Sequence, residues 1–338
     1  MRRTWCQRGF KEEIVKIQRI ISLVACVFFF YYGEMACAVE SFKPIGPIGG
    51  TDIRQAYLPP PGLYGIGVGV GLTLPKYWGD NDTLDSRGTP IVGGGGLLYV
   101  YDTDLFGGKI ASTVFETYAD QNFGIKGGAK NRSVGFGDIY SDIFMWSRFF
   151  PSADYARQPK GGNAMPYGLQ VMLGLGMNFP TGKYHASDPV NVGSNIYTFS
   201  PSIALTYTKP SIFYDAPGHA TEFSARFFFN KYTKNHATDY LSGPTISADF
   251  SMTERVNQWQ FGIAGTTYTQ IADDTIGGTL HPNNGNRASF LSLGPLVSYD
   301  FVAAGRYWNL TAKGMLAVAG RNTVASSGVV IRLVTKFK

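Results

Sequence analysis

Charge is scarce in this 338-residue chain: Asp, Glu, Lys and Arg make up 16% of it, against about 25% in a typical soluble domain. That scarcity argues against an ordinary soluble enzyme. Long apolar runs are also missing. The longest uncharged apolar stretch, Ile20–Tyr32, is shorter than the about 20 residues that a membrane-spanning helix needs, which excludes a helical membrane protein. Apolar residues at helical spacing never hold over comparable lengths. The three cysteines, Cys6, Cys26 and Cys37, all fall near the N-terminus, so residues beyond 38 can form no disulfide. What is abundant is glycine, 42 residues, with 24 Phe, 20 Tyr and 5 Trp. Aromatic and β-branched residues at this level exclude a disordered chain.

The N-terminal segment reads as an address. Arg2, Arg3, Arg8, Lys11, Lys16 and Arg19 precede the apolar run, and Ala36-Cys37-Ala38 follows it. A basic region, an apolar region and a small-x-small site in that order make a secretory signal peptide over residues 1–38. A membrane anchor, or a lipoprotein signal at Leu23-Val24-Ala25-Cys26, fits the segment less well. The leader holds six basic and three acidic residues, so the remainder carries 24 basic against 21 acidic groups, or +3 where the whole chain is +6. Half of the basicity is therefore targeting signal, and no nucleic-acid partner is expected. Residues 39–62 form a Pro/Gly-rich arm, with Pro59-Pro60-Pro61-Gly62 at its end. The arm is expected to be irregular, and to lie in the periplasm or form a partial plug.

Beyond it the pattern runs in steps of two. Tyr64, Ile66, Val68, Val70 and Leu72 interleave with Gly65, Gly67, Gly69 and Gly71, and Leu169, Val171, Leu173 and Leu175 interleave with Gln170, Met172 and Gly174. Period two over ten or more residues gives a strand with two unlike faces. Twelve such segments are predicted, roughly 63–74, 89–102, 109–119, 135–150, 165–179, 195–209, 220–232, 243–253, 258–271, 289–301, 307–317 and 327–337. Lengths of about 9–11 residues suit a tilted membrane-crossing strand, whereas soluble sandwiches average about 5–6. Gaps after odd segments are long and those after even segments mostly short, the outer-membrane pattern of long outer loops and tight periplasmic turns. The 151–164 gap is too long for the rule. A soluble sandwich or jelly roll would carry a strongly charged outer face, which this chain lacks. The expected fold is all-β: a transmembrane antiparallel β-barrel of about twelve strands, residues 63–338, in a bacterial outer membrane, with outer-membrane lipids and the barrel-assembly machinery as partners.

Because a charge facing lipid costs about 2–4 kcal/mol at the bilayer midplane, the polar register of each strand is expected to face the lumen. That gives as candidates for a solute path Asp138, Tyr140, Asp142 and Phe144 on the fourth strand, Gln170 on the fifth, Glu222, Arg226 and Phe228 on the seventh, Asp249 on the eighth, and Tyr268 and Gln270 on the ninth. Arg226 is expected to pair with Asp249 on the neighbouring strand. Aromatics mixed with hydroxyls and amides would give a slightly apolar, hydrogen-bonding path; the alternative is a hydrogen-bonded filling that merely closes a narrow barrel.

Nothing points to catalysis, a metal or a cofactor. His185, His219, His236 and His281 lack ligand spacing. Tyr184-His185-Ala186-Ser187 offers a Ser–His pair without a recognisable orienting partner. Asp80-Asn81-Asp82 and Asp273-Asp274 lack a calcium-loop pattern.

Several motifs occur in a telling order: Leu58-Pro59-Pro60-Pro61-Gly62-Leu63-Tyr64-Gly65, Gly135-Phe136-Gly137-Asp138, Pro180-Thr181-Gly182, Asn191-x-Gly193-x-Asn195-x-Tyr197-x-Phe199-x-Pro201, Thr238-Asp239-Tyr240-x-Ser242-Gly243, Gln270-x-x-Asp273-Asp274 and Gly294-Pro295-x-x-x-Tyr299. Over about residues 50–338 the chain resembles the outer-membrane transporters of the MetA-type phenol-degradation pathway (the SphA family). The resemblance implies an outer-membrane barrel that passively takes up small hydrophobic or aromatic, phenol-like compounds. The alternative is a plugged structural barrel whose outer loops bind a partner. The chain departs from the family pattern at Ile196-Tyr197 and in ending Phe337-Lys338.

Overall fold

A computed structural model describes residues 46–157, 166–214 and 216–337; the leader, the first part of the arm and half of the 151–164 gap lie outside them. Twelve strands form the wall: β1 Gly62–Thr73, β2 Ile91–Leu105, β3 Gly108–Ile125, β4 Ile139–Pro151, β5 Gly168–Phe179, β6 Thr198–Pro210, β7 His219–Tyr232, β8 Thr245–Val256, β9 Trp259–Gln270, β10 Ser289–Ala303, β11 Arg306–Arg321 and β12 Ser327–Lys336. Each pairs antiparallel with its chain neighbour, and β1 pairs with β12 from Tyr64↔Lys336 to Thr73↔Ser327. The barrel is closed, which is what a sheet in hydrocarbon requires, since an open edge would leave N–H and C=O groups without partners.

Burial is inverted relative to a soluble protein. Ile263, Ile331 and Leu316 are exposed on the outside, whereas Glu222, Arg226, Asp249, Arg255, Asp300 and Lys313 are buried inside. Outward aromatics cluster at both rims. Trp259, Tyr299, Phe301 and Trp308 stack in series near the short turns, and Tyr118–Phe136 and Phe179–Tyr197 pair near the long loops. Paired aromatic girdles are what two membrane interfaces favour.

The fourth strand differs from its expected course. A short strand Asn131–Phe136 continues the ladder of β3, the chain breaks at Gly137-Asp138, and β4 begins at Ile139. Within β4 the register shifts between Asp142 and Phe144. This bulge flips the alternation. Ile143 and Phe144 are both exposed on the outside, at 47% and 40%, while Met145 and Ser147 are buried. Phe144, expected in the lumen, therefore stands on the outer face, and Met145, of the opposite register, points in. The bulge also thins the β3–β4 ladder, which pairs Lys109–Ala111 with Ser147–Met145 and then only Phe115 with Tyr140. Hydroxyls replace the missing rungs. Ser112 Oγ donates to the Ile143 carbonyl (2.7 Å), Ser141 Oγ to the Thr113 carbonyl (2.6 Å), and the Asp142 N–H donates to Thr113 Oγ1 (3.0 Å).

Residues 46–61 run inside the barrel. Their backbone N–H groups find side-chain acceptors on the wall: Gly49 and Thr51 on Asp249 (2.7 and 3.0 Å), Arg54 on Glu222 (2.8 Å), Gln55 on Ser224 (3.0 Å) and Ala56 on Thr206 (3.1 Å). Their charges are matched as well. Asp52 lies between Lys313 and Arg332, and Arg54 reaches Asp300 at 2.7 Å, where Arg255 also binds at 2.9 Å. At the rim of short turns Lys109 and Lys336 donate to the Leu58, Pro59 and Pro61 carbonyls.

Asp300 is thus one carboxylate shared by two buried guanidinium groups. Asp300→Ala should leave both without it, at about 3–5 kcal/mol for an uncompensated buried charge. The expected outcome is a clearly lower temperature for the heat-induced mobility shift on gels, with β-rich circular dichroism retained at 25 °C; an unchanged transition would show that the pair contributes nothing.

Candidate functional site

The arm divides the lumen into two unlike halves. Its hydrogen bonds go mainly to β6–β11, whose inward residues are mostly polar, and a cavity of about 950 Å³ stays open beside it. That cavity is walled by Ile66 and Val68 of β1, Val92 and Leu98 of β2, Phe115 of β3, Met145 of β4, Met172 of β5 and Val334 of β12. Tyr140, Asp142, Arg226 and Phe228 add a polar and aromatic margin. On β1 it is therefore the apolar register that lines the lumen, and the glycines that face lipid. At Gly67, Gly69 and Gly71 a Cβ would meet nothing. On β2 the inward glycines have a purpose, because the Phe115 ring lies over Gly94 and Gly96, where a Cβ would come within 2.6 and 2.5 Å of it.

The predicted residues divide into three groups. Tyr140, Asp142, Arg226 and Phe228 converge at the cavity. Arg226 Nη2 donates to Asp142 Oδ1 at 2.6 Å, the Tyr140 hydroxyl donates to the same oxygen at 2.9 Å, and the guanidinium sits 4.5 Å over the Phe228 ring. Arg226 and Asp249 are opposite one another in register, but the expected ion pair is not formed. Asp249 is taken by Gly49, Thr51 and Thr266, and Arg226 turns across the lumen to Asp142. Sequence periodicity could not show this, because the competing donor belongs to the arm. Glu222 and Gln170 are buried in bonds to the arm and to Ser147. Tyr268 and Gln270 lie toward the long loops, where Tyr268 bonds Thr323 at 2.7 Å and Gln270 binds the Ala272 carbonyl and Asp274. Asp138 lines the cavity, but its carboxylate holds a loop. Sequence reading missed the β1 lining residues because that strand carries glycine on the opposite face, so neither register was marked as polar.

No hydrolytic centre is assembled from the Ser–His pair. The Ser187 hydroxyl turns to Asp188 (3.5 Å), and His185 exchanges backbone bonds with the Asn191 side chain (2.9 and 3.0 Å). Among the described residues no three or more His, Cys, Asp or Glu side chains converge as a metal site.

A family model described as "Putative MetA-pathway of phenol degradation" matches residues 74–333. The chain belongs to this family. Among solved structures it is similar to the COG4313 outer membrane channel from Pseudomonas putida F1, at 14% identity over 84% of this chain and 98% of that one, with a TM-score of 0.60. At that identity the likeness is one of fold. The β domain of the Bordetella autotransporter BrkA aligns at 11% identity over 82% and 99% of the two chains, with a TM-score of 0.40. No curated protein sequence matches the chain.

Five of the seven motifs named above are brought together as two carboxylate knots at the rim of long loops. In the first, Asp138 accepts the Gly182 N–H (2.9 Å) through one oxygen and the Ser194 N–H (2.9 Å) and hydroxyl through the other. The backbones touch there: a Cβ at Gly182 would lie 2.6 Å from the Gly137 carbonyl carbon, and one at Gly193 2.6 Å from that of Gly182. Only glycine permits this approach. The knot folds the β5–β6 loop inward, so that Val192 and Ser194 line the cavity. In the second, Asp274 accepts from the Tyr240 hydroxyl (2.8 Å), the Gly243 N–H (2.9 Å), Gln270 and Asn286, tying the β7–β8 and β9–β10 loops. Burial pushes its carboxyl above the usual carboxylate range, against those hydrogen bonds, whereas the exposed Asp273 beside it is held low by Arg287.

Asp138→Ala removes the charged acceptor from three donors of one loop, at about 1–3 kcal/mol per bond. Amide exchange of residues 182–194 should speed by well over tenfold, with the barrel strands unchanged. Protection equal to wild type would mean that the loop is held by something else.

Proposed function

We propose that the protein is a passive outer-membrane channel for small apolar or aromatic compounds of phenol-like size, with residues 46–61 acting as a partial plug that leaves one side of the lumen open. The observation that carries this reading is the apolar wall of the cavity. A general porin lines its water-filled lumen with polar groups. Here the space beside the arm, about 950 Å³, is faced by Ile66, Val68, Val92, Leu98, Met145 and Met172, and its volume falls within the range of small-molecule sites. The charged groups that border this space, among them Arg226, Asp142, Arg332 and Asp138, are engaged with one another, with the arm or with a loop, so the open side presents few free charges to an ion. Tyr140, Asp142, Arg226 and Phe228 form a hydrogen-bonding, aromatic edge suited to a solute hydroxyl. Membership of a family described by phenol degradation supports the same solute class, and the fold supports the location.

Liposomes containing the refolded barrel should admit phenol faster than protein-free liposomes. Val68→Trp, which fills the cavity from β1, should cut that excess flux by about tenfold or more, while leaving heat-modifiable gel mobility intact; a loss of about 1.4 kcal/mol in passage is worth that factor. If wild type adds nothing to the phenol permeability of the membrane, the protein is a plugged barrel and the channel reading fails.

A further inference from the structure

A second cavity, of about 510 Å³, lies among the long loops. All six outward connections contribute to it: Tyr77 from β1–β2, Ala129 from β3–β4, Val190 from β5–β6, Tyr240 from β7–β8, His281 from β9–β10 and Asn322 from β11–β12. Among the described residues no Asp, Glu, Lys or Arg lines it. The same rim carries Asp80, Asp273, Arg287 and Arg321, but these are paired with one another. The lining instead offers ring faces and neutral polar groups. Tyr77 and Phe123 pair with centroids 6.4 Å apart, and the His281 ring lies edge-on to Tyr240 at 5.6 Å. His281 Nδ1 accepts the Asn283 N–H (3.1 Å), and both residues line the cavity. The β5–β6 loop is the floor: Val190 faces this chamber while Val192 and Ser194 face the lumen cavity.

We infer that this chamber is an outer binding subsite for neutral aromatic alcohols, from which solute passes over the β5–β6 loop into the lumen cavity. The inference rests on the channel reading and deepens it by giving that channel a recognition site at its mouth. Three chemical features select the class. Aromatic rings offer stacking area. Imidazole and amide groups offer a hydrogen bond to a hydroxyl, and a site with such groups discriminates against a solute that leaves them unpaired. With no cation lining it, the chamber gives an anionic aromatic acid nothing to offset its desolvation.

Equilibrium binding of phenol to the detergent-refolded full barrel tests this, with toluene and benzoate as comparison probes. Ala129 is exposed in the β3–β4 connection, so Ala129→Trp fills the chamber without disturbing the wall. It should weaken phenol binding and slow phenol flux by about tenfold or more, and His281→Ala should weaken phenol binding by about tenfold, the worth of one hydrogen bond, with little effect on toluene. Benzoate should not compete. If Ala129→Trp and His281→Ala bind and pass phenol as wild type does, while Val68→Trp blocks flux, the outer subsite is refuted and the channel reading stands. If wild type passes phenol but benzoate competes equally for the chamber, the proposed selectivity is wrong. If wild type neither binds nor passes phenol, both readings fall.

Discussion

Hydrocarbon offers the backbone no hydrogen-bond partner, and the rest of this structure depends on that. A sheet in such a medium must close on itself, and here β1 closes onto β12 without a gap in register. Closure creates a lumen, and an irregular chain running through the lumen faces the same demand that closed the sheet. Residues 46–61, the described part of the arm, have no strand partners, so their amides must be met by side chains. Asp249, Glu222, Ser224 and Thr206 meet them from β6–β8. The polar wall exists on the side where the arm needs it. On the opposite side the arm draws only a few donors from the wall, Lys109, Ser147 and Lys336 to its carbonyls and Arg332 to Asp52, and Ile66, Val68, Val92 and Leu98 can line the space.

Much of this was legible in the sequence. Period-two alternation located twelve strands, most of their ends to within about four residues and the end of β3 six residues short, because a barrel wall has two environments and every strand must serve both. Loop lengths assigned the two rims for a similar reason. The faces were harder to assign. Where one register carried charge, as with Arg226 and Asp249, the lumen side was plain, since the cost of a charge in lipid admits no other answer. Where one register was glycine and the other aliphatic, as on β1, polarity could not tell the faces apart, and the apolar register turned out to face inward. The bulge at Ile143-Phe144 was equally hidden. One inserted residue shifts everything beyond it to the other face, and no turn residue or proline marks the spot.

Long-range partners were illegible for a different reason. Asp142 and Arg226 are strand-adjacent to neither each other nor a common neighbour, and their contact depends on the arm having already occupied Asp249. A pairing chosen by strand adjacency alone omits that third participant. The family motifs show the converse case. Asp138, Gly182 and Ser194 lie far apart in sequence and say little singly, yet they make one knot. Their residue types suit that role, because a carboxylate with two oxygens can hold both ends of a loop, and glycine lets the two backbones meet.

The two carboxylate knots and the charge pairs inside the barrel have a common physical consequence. Ionised groups in and near the path are engaged by partners within the protein: Asp52 by Lys313 and Arg332, Asp300 by Arg54 and Arg255, Asp142 by Arg226, and Asp138 by a loop backbone. A carboxylate so engaged contributes little negative field to the adjoining space, and a cation entering that space would lose hydration without recovering it. A neutral aromatic molecule loses much less on leaving water and gains contact with the aliphatic wall. Pairing the interior charges thus stabilises the barrel and disfavours cations in the same step. The selectivity argued for the lumen therefore needs no dedicated filter, because it is a by-product of satisfying a polar interior in a closed sheet.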